Sequence, residues 1–395
     1  MKIAIIGGAG AMARTTVRDL SENQNVAAIL VADYHEQKAR AYAESFNDPR
    51  IKGCLVDATQ VDATAELIKD YDAVINSAQH YVNLDVMRAC LAAGVHYLDL
   101  GGLFYYTRKQ LTLFDEFKTA GISAILGMGA APGITNVLSR YAYDRLDTVE
   151  TVRFFDTGVD FTDMQGVDVF APPYSIRTIM EEYGENSEQF IDGRYQVVPP
   201  LSGEMMVDFP EPIGRCKCIH TLHSEPATVP ESFKDKGVQE VTWRLSLPPA
   251  FEQKAQFLAA IGFAEKTPIE AGGGSIAPMD YLAAVVEKHV SEKLAGIELA
   301  VDDMECIRAQ VGGIKDGRRV EYTVDCIGRS HSRWRCAVGD VATGTPPAIV
   351  APMQAAGEIA AGVWGPEQVV NPERLFAELA KREMELHVTV KEQIA

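Results

Sequence analysis

Lys2-Ile3-Ala4-Ile5-Ile6-Gly7-Gly8-Ala9-Gly10-Ala11-Met12-Ala13-Arg14 opens the chain with an apolar, β-branched run that ends in small residues. The run predicts a buried strand, Lys2 to Gly7, and the spacing Gly8-x-Gly10-x-x-Ala13 predicts a tight turn into a helix. Gly8 is expected to permit the turn. Gly10 would let the backbone approach a pyrophosphate, and Ala13 would let the helix pack close to the strand. The N–H groups of Ala11, Met12 and Ala13 would then face the phosphates of a dinucleotide. Twenty residues past Ala13, Asp33 closes a second apolar run. A carboxylate there accepts from the adenosine ribose hydroxyls and repels a 2′-phosphate, which favours NAD over NADP.

Outward from this stretch, apolar runs alternate with helical patterns through the first 130 or so residues. The runs are Lys2 to Gly7, Val26 to Asp33, Ile51 to Val56, Asp72 to Asn76, His96 to Leu100 and Ile122 to Met128. Such alternation predicts a Rossmann-type α/β fold, a doubly wound parallel sheet with helices on both faces. From Thr148 the apolar residues alternate instead, and Lys315-Asp316-Gly317 reads as the tight turn of a long hairpin. These features predict an α+β second domain with a mostly antiparallel sheet. The expected division is 1–133, completed by a helical return over 345–395, for the nucleotide, and 134–344 for substrate binding and dimerisation. The proline-rich stretch Val197 to Pro230 reads as a long loop over the cleft.

With 395 residues, 47% hydrophobic and 23% charged, the composition is that of a two-domain globular protein. A formal charge of -18 leaves no basic footprint for nucleic acid or an anionic membrane. With no leader or long apolar span, a cytoplasmic enzyme with a small-molecule partner is expected, as a dimer or larger homo-oligomer. Seven scattered cysteines form no C-x-x-C pair, so no metal site is expected. Cys216 and Cys218 alternate in a strand pattern and should pack on one face.

Four segments, in this order along nearly the whole chain, resemble the saccharopine dehydrogenase superfamily. They are Gly94-Val95-His96-Tyr97-Leu98-Asp99-Leu100-Gly101-Gly102, Gly127-Met128-Gly129-Ala130-Ala131-Pro132-Gly133-Ile134-Thr135-Asn136, Val311-Gly312-Gly313-Ile314-Lys315-Asp316-Gly317 and Gly365-Pro366-Glu367-Gln368-Val369-Val370. Within it the chain most resembles the lysine 6-dehydrogenases. The resemblance implies oxidation of a carbon–nitrogen bond, with L-lysine giving a semialdehyde that closes to a piperideine carboxylate, NADH and ammonia. It departs from the lysine pattern between Asp160 and Tyr174 and after His220-Thr221, where a different amine could be accommodated. The alternatives are an opine-type reaction on a secondary amine such as saccharopine, and an NAD-binding sensor without turnover.

Oxidation of an amine needs a base to take its proton. Asp99, at the end of the fifth strand, and His220, from the second domain, are the catalytic candidates. Asn76, Ser77, Asp57 and the turn Gly129, Ala130, Pro132 are the further cofactor contacts expected at strand ends. His80 and Gly101 would approach the substrate. Arg177, Arg215 and Arg244 are candidates to clamp a substrate carboxylate. Asp160, Asp163 and Asp168 read as loop acids able to meet an ammonium, and His96 reads as structural.

Overall fold

The computed structural model describes residues 1–392. It begins β1 (Lys2–Ile6), α1 (Ala11–Glu22), β2 (Ala28–Asp33), α2 (Glu36–Glu44), β3 (Ile51–Leu55), α3 (Val61–Ile68), β4 (Ala73–Asn76), α4 (Asn83–Ala93), β5 (His96–Asp99), α5 (Leu103–Leu111), α6 (Phe114–Ala120), β6 (Ser123–Ile125) and α7 (Ile134–Tyr143). The second part runs β7 (Thr148–Asp160), α8 (Ile176–Gly184), β8 (Ser187–Ile191), β9 (Arg194–Val198), β10 (Met205–Asp208), β11 (Arg215–Cys218), α9 (Glu225–Ser232), β12 (Glu240–Ser246), α10 (Pro249–Leu258), β13 (Ile269–Ala271), β14 (Gly274–Ile276), α11 (Pro278–Lys293), β15 (Asp303–Lys315) and β16 (Arg318–Arg329). A final stretch adds α12 (Val338–Ala355), β17 (Gly362–Trp364), α13 (Pro366–Val369), α14 (Pro372–Ala380) and β18 (Glu385–Glu392).

The first sheet is parallel, in the order β17-β6-β5-β4-β1-β2-β3. Ile3, Ala4, Ile5 and Ile6 are all buried because helices cover both faces, which is why the sequence shows an unbroken apolar run there. Helix α4 ends where Gly94 adopts φ 71°, a left-handed cap that turns the chain into β5.

The second sheet runs β18-β16-β15-β7-β12-β8-β9, antiparallel except for the β7–β12 pair. Asp316 (φ 50°) and Gly317 (φ 76°) form the hairpin turn the sequence predicts. On one face Val152, Phe154, Val241, Trp243, Ile307, Ala309 and Val311 are buried, and α7 packs over β7, β15 and β16. Cys216 and Cys218 lie together on the other side of the sheet, packed around Phe155 and Phe209, and both thiols are free.

Three expectations change. Helix α12 starts at Val338 and passes through Gly344-Thr345-Pro346-Pro347, which the sequence pattern reads as a break before a helix at Ile349. Packing overrides the prolines: a Cβ on Gly344 would lie 2.7 Å from Thr15 Cβ and 2.8 Å from the Met12 carbonyl, so only glycine allows α12 to cross α1 this closely. The return over 345–395 is also divided. Strand β17 extends the first sheet beside β6, whereas β18 pairs with β16 in the second. The stretch Val197 to Pro230 is not a loop throughout: it contains the β10–β11 hairpin and α9, whose Pro226 sits in the first turn, where a missing N–H costs nothing.

Candidate active site

The glycine turn is built for an anionic group. The positive φ falls on Gly7 (73°), not Gly8, and a Cβ on Gly7 would meet the Ala78 nitrogen at 2.7 Å, so Gly7 is the residue that makes the tight turn. Gly8 instead fits under Val31, 2.9 Å from where its Cβ would stand. No side chain caps α1 and no acid occupies its first turn, so among the described residues the N–H groups of Ala11, Met12 and Ala13 are open to a phosphate. Ala13 is buried against the sheet. Asp33 accepts from the Ala9 N–H (3.2 Å) and the His35 N–H (2.9 Å) and thereby ties the end of β2 to the turn. The backbone of Ser77 lies against Gly7, and its buried hydroxyl has no partner among the described residues. These features fit a bound dinucleotide. The Asp57 carboxylate accepts from the Thr59 N–H (3.1 Å) and hydroxyl (2.7 Å).

Asp99 ends β5 fully buried and, among the described residues, receives five hydrogen bonds. Its Oδ1 accepts from the N–H groups of Gly101 (3.0 Å) and Gly127 (2.7 Å), and its Oδ2 accepts from Gln110 (2.6 Å), Tyr97 (2.8 Å) and Asn83 (3.2 Å). Asn76 joins the same network through Asn83 (2.8 Å). Burial pushes the Asp99 carboxyl above the ordinary range although all these donors favour its charged form. The arrangement fixes two loops. The Pro132 ring lies on the Gly101 and Gly127 backbones, where a Cβ on either would fall 3.0 Å or 2.5 Å from it. Gly129 and Pro132 close the turn into α7 through a 2.8 Å bond, with Ala130 buried inside it.

Against this shelf comes the segment between β11 and α9. Ser224 Oγ meets Thr107 Oγ1 at 3.4 Å. Fully buried Glu225 accepts from Thr135 Oγ1 (2.8 Å), the first polar side chain after the Pro132-Gly133 turn, and its other oxygen pairs with Nδ1 of His223. The His223 ring lies flat on Trp243, whose indole N–H donates to Thr221 Oγ1 at 2.8 Å. Burial alone would lower the His223 pKa; the carboxylates of Glu225, Glu182 and Asp156 outweigh it and hold the imidazole above its usual value. An oriented imidazole with Nδ1 committed to a carboxylate leaves Nε2 to move protons.

Carboxyls from β7 and α8, Asp156 and Glu182, face that histidine, and Glu305 of β15 adjoins Asp156. Along β7, Val152 and Phe154 are followed on the same face by Asp156. Along β15, Val311, Ala309 and Ile307 are followed by Glu305. The carboxyls of Asp156 and Glu305 act on each other, and burial raises both, Asp156 to about 7. Two such groups in one site share a proton. Glu182 of α8 accepts from Tyr174 (2.5 Å) and is pushed up to about 7 by burial. Its neighbour Glu181 pairs with Lys266 at 2.7 Å and faces His80 at 3.8 Å. His80, held low by burial and edge-on to Tyr106, thus reaches the same region from the first domain.

The remaining predicted residues stand elsewhere. His220 bonds the Trp243 carbonyl through Nδ1 (3.0 Å), and burial with the neighbouring Arg244 cation lowers it to about 4. Arg244 donates to the Gly203 carbonyl and Thr242 Oγ1, both at 2.9 Å. Arg177 pairs with Asp280, and Arg215 lies near Asp208. Asp160 and Asp163 cap their own loops, and His96 accepts from the Ser123 N–H at 3.0 Å. Sequence reasoning passed over His223, Glu225, Asp156, Glu182 and Glu305. One signal was available: Asp156 and Glu305 stand where an apolar alternation calls for another apolar residue.

Two family descriptions match the chain: the saccharopine dehydrogenase NADP binding domain over residues 3–125 and the saccharopine dehydrogenase C-terminal domain over residues 129–384. Among curated proteins, a carboxyaminopropylagmatine dehydrogenase of Synechocystis sp. is 28% identical over 99% of this chain and 98% of its own. A carboxynorspermidine synthase of Vibrio cholerae is 25% identical over 93% of this chain and 91% of its own. Among solved structures, apo saccharopine dehydrogenase (L-Glu forming) from Saccharomyces cerevisiae has the same fold, with a TM-score of 0.73 and 14% identity over 99% of both chains.

Proposed function

From a chain that belongs to the saccharopine dehydrogenase family, an oxidoreductase family acting on C–N bonds, we propose opine-type chemistry on an amine of polyamine character. In this reading a primary amine and an aldehyde lose water to form a C=N bond, which a hydride (two electrons and one proton) and a second proton convert to a secondary amine. The single observation that carries it is the His223–Glu225 pair set on Trp243 and facing the Asp99–Pro132 shelf. A nicotinamide dinucleotide held at the glycine turn would supply the two electrons as hydride. His223, kept cationic by Glu225, protonates the departing hydroxyl and, in reverse, takes the proton of the amine. Asp99 is a positioning residue that holds Gly101 and Gly127 beneath the reacting carbon.

The names of the two relatives support a carboxylated polyamine over lysine. Oxidative deamination of L-lysine would use the same dyad but release ammonia. For the cofactor we propose a preference for NAD: Asp33 stands where a 2′-phosphate would meet negative charge, and Tyr34-His35-Glu36-Gln37 supplies no arginine. The test incubates the protein with a diamine, an amino-acid semialdehyde and either reduced cofactor, and separately with L-lysine and either oxidised cofactor. Cofactor oxidation with a secondary amine in the mass spectrum, faster with NADH, supports the reading. Ammonia released from lysine, without a secondary amine in the first mixture, overturns it.

A further inference from the structure

We infer that Glu367 is a positioning residue of the reaction, holding Glu225 against Nδ1 of His223 through Asn136 and Thr135. The inference rests on the reading of His223 as the residue that moves the proton.

Two segments that carry the family resemblance, Gly133-Ile134-Thr135-Asn136 and Gly365-Pro366-Glu367, meet in the interior although Asn136 and Glu367 stand 231 residues apart. Glu367 of α13 is fully buried. One of its oxygens accepts from Asn136 Nδ2 (2.8 Å), the other from Ser232 Oγ (2.6 Å). A Cβ on Gly365 would stand 2.5 Å from that second oxygen and push it off Ser232, so the fold of the backbone over the carboxyl needs glycine. Asn136 is thereby oriented: its NH2 faces Glu367, and its Oδ1 accepts from the Gly133 N–H at 3.1 Å.

Thr135 has one hydroxyl proton to give. Asn136 Oδ1 is 3.3 Å away and already accepts from Gly133, whereas Oε1 of Glu225 is 2.8 Å away, so the hydroxyl donates to Glu225. Among the described residues, only Thr135 and His223 bond the Glu225 carboxylate. Ser232 ends the helix that Glu225 begins. Glu367 therefore acts on Glu225 by two routes, across α7 and along α9.

A purely structural role would not call for an acid. Among the described residues no cation pairs with the Glu367 carboxyl: Arg140 bonds its backbone carbonyl (2.9 Å) and pairs with Asp144. Burial raises Glu367 against the pull of Ser232, its own backbone N–H and Asn136, and a buried acid without a counter-ion is costly. What it secures is the orientation of Asn136 and, through it, of the Thr135 donor. A hydrogen bond given to a carboxylate favours its charged form. Against burial, ionised Glu225, and after it Glu182 of α8 and Asp156 of β7, hold His223 cationic. Loss of the Thr135 donor should leave less imidazolium at neutral pH.

The test follows His223 itself, by NMR of the intact protein carrying isotope-labelled histidine, with the His223 signal assigned by its loss in His223→Gln. Thr135→Val should lower the pH at which the imidazole loses its proton by about one unit, and Thr135→Ser should restore it. Thr135→Ala removes the same donor should the valine crowd the turn. Glu367→Met should displace the titration in the same direction, and Glu367→Gln, which keeps an acceptor for Asn136, far less. In turnover the displaced variants should show the same movement of the pH profile, with kcat lowered about tenfold and KM for the amine little changed. Thermal melts verify that the variants are folded. An unmoved His223 titration in folded Thr135 and Glu367→Met variants overturns the inference. A displaced titration without any movement of the rate profile would leave the hold on His223 standing while removing the reading of His223 as the proton carrier.

Discussion

The imidazole of His223 lies parallel to the indole of Trp243, ring centroids 3.8 Å apart and planes 12° from coplanar. Stacking fixes the ring, and Glu225 fixes its Nδ1, so one nitrogen has a defined direction. His223→Gln is therefore expected to lower kcat by roughly 10²- to 10⁴-fold with little change in cofactor affinity. In the wild type the reductive rate should fall as pH rises through the elevated His223 pKa, and that inflection should be missing in the variant. Steady-state rates against pH, with cofactor binding measured in parallel, check both.

Glu182 makes stability depend on pH. Its folded-state pKa of about 7 lies above its ordinary 4.5, so between those values the folded state holds a proton that the unfolded chain has lost. Stability from this group is fully present at low pH and declines as pH rises from about 4.5 through 7. Glu182→Gln should accordingly stabilise the ligand-free protein at pH 8 by about 1–3 kcal/mol and hardly at all at pH 4. Denaturant unfolding at the two pH values measures this.

Asp99→Ala would leave five donors, from Gly101, Gly127, Gln110, Tyr97 and Asn83, without their acceptor in a closed interior. We expect a loss of about 3 kcal/mol or more in unfolding free energy. Asp99→Asn should retain the fold better but disturb the donor pattern. If Asp99 instead worked as the base, Asn would abolish turnover while leaving the melting temperature unchanged.

Local signals were legible and distant ones were not. The glycine turn, Asp33 and the Lys315-Asp316-Gly317 hairpin depend on residues adjacent in sequence, and the fold class follows from them. The choice between His220 and His223 does not: three residues apart at the end of β11, they part according to Trp243, where His220 meets the backbone carbonyl and His223 the ring face. Asp156, Glu182 and Glu305 belong to three elements and converge only after the second sheet forms. The prolines of α12 misled for a related reason, since the contact that sustains the helix lies on α1.

That contact is testable. Gly344→Val would drive side-chain atoms into Thr15 and the Met12 carbonyl, both within 2.8 Å of the first added carbon. A destabilisation of about 1–3 kcal/mol is expected, together with weakened dinucleotide binding because α1 carries the phosphate-facing N–H groups. Thermal melts with and without NAD should show a smaller cofactor-induced shift than in the wild type.

The proposed reaction joins an amine to an aldehyde carbon by reduction of a C=N bond. The most direct measurement supplies a diamine, an amino-acid semialdehyde and a nicotinamide cofactor deuterated at the carbon that gives hydride, then determines the product by mass spectrometry and NMR. A secondary amine carrying one deuterium on the carbon of the new C–N bond is the predicted result. Deuterium in an alcohol derived from the aldehyde, with the diamine recovered unchanged, would contradict this reaction.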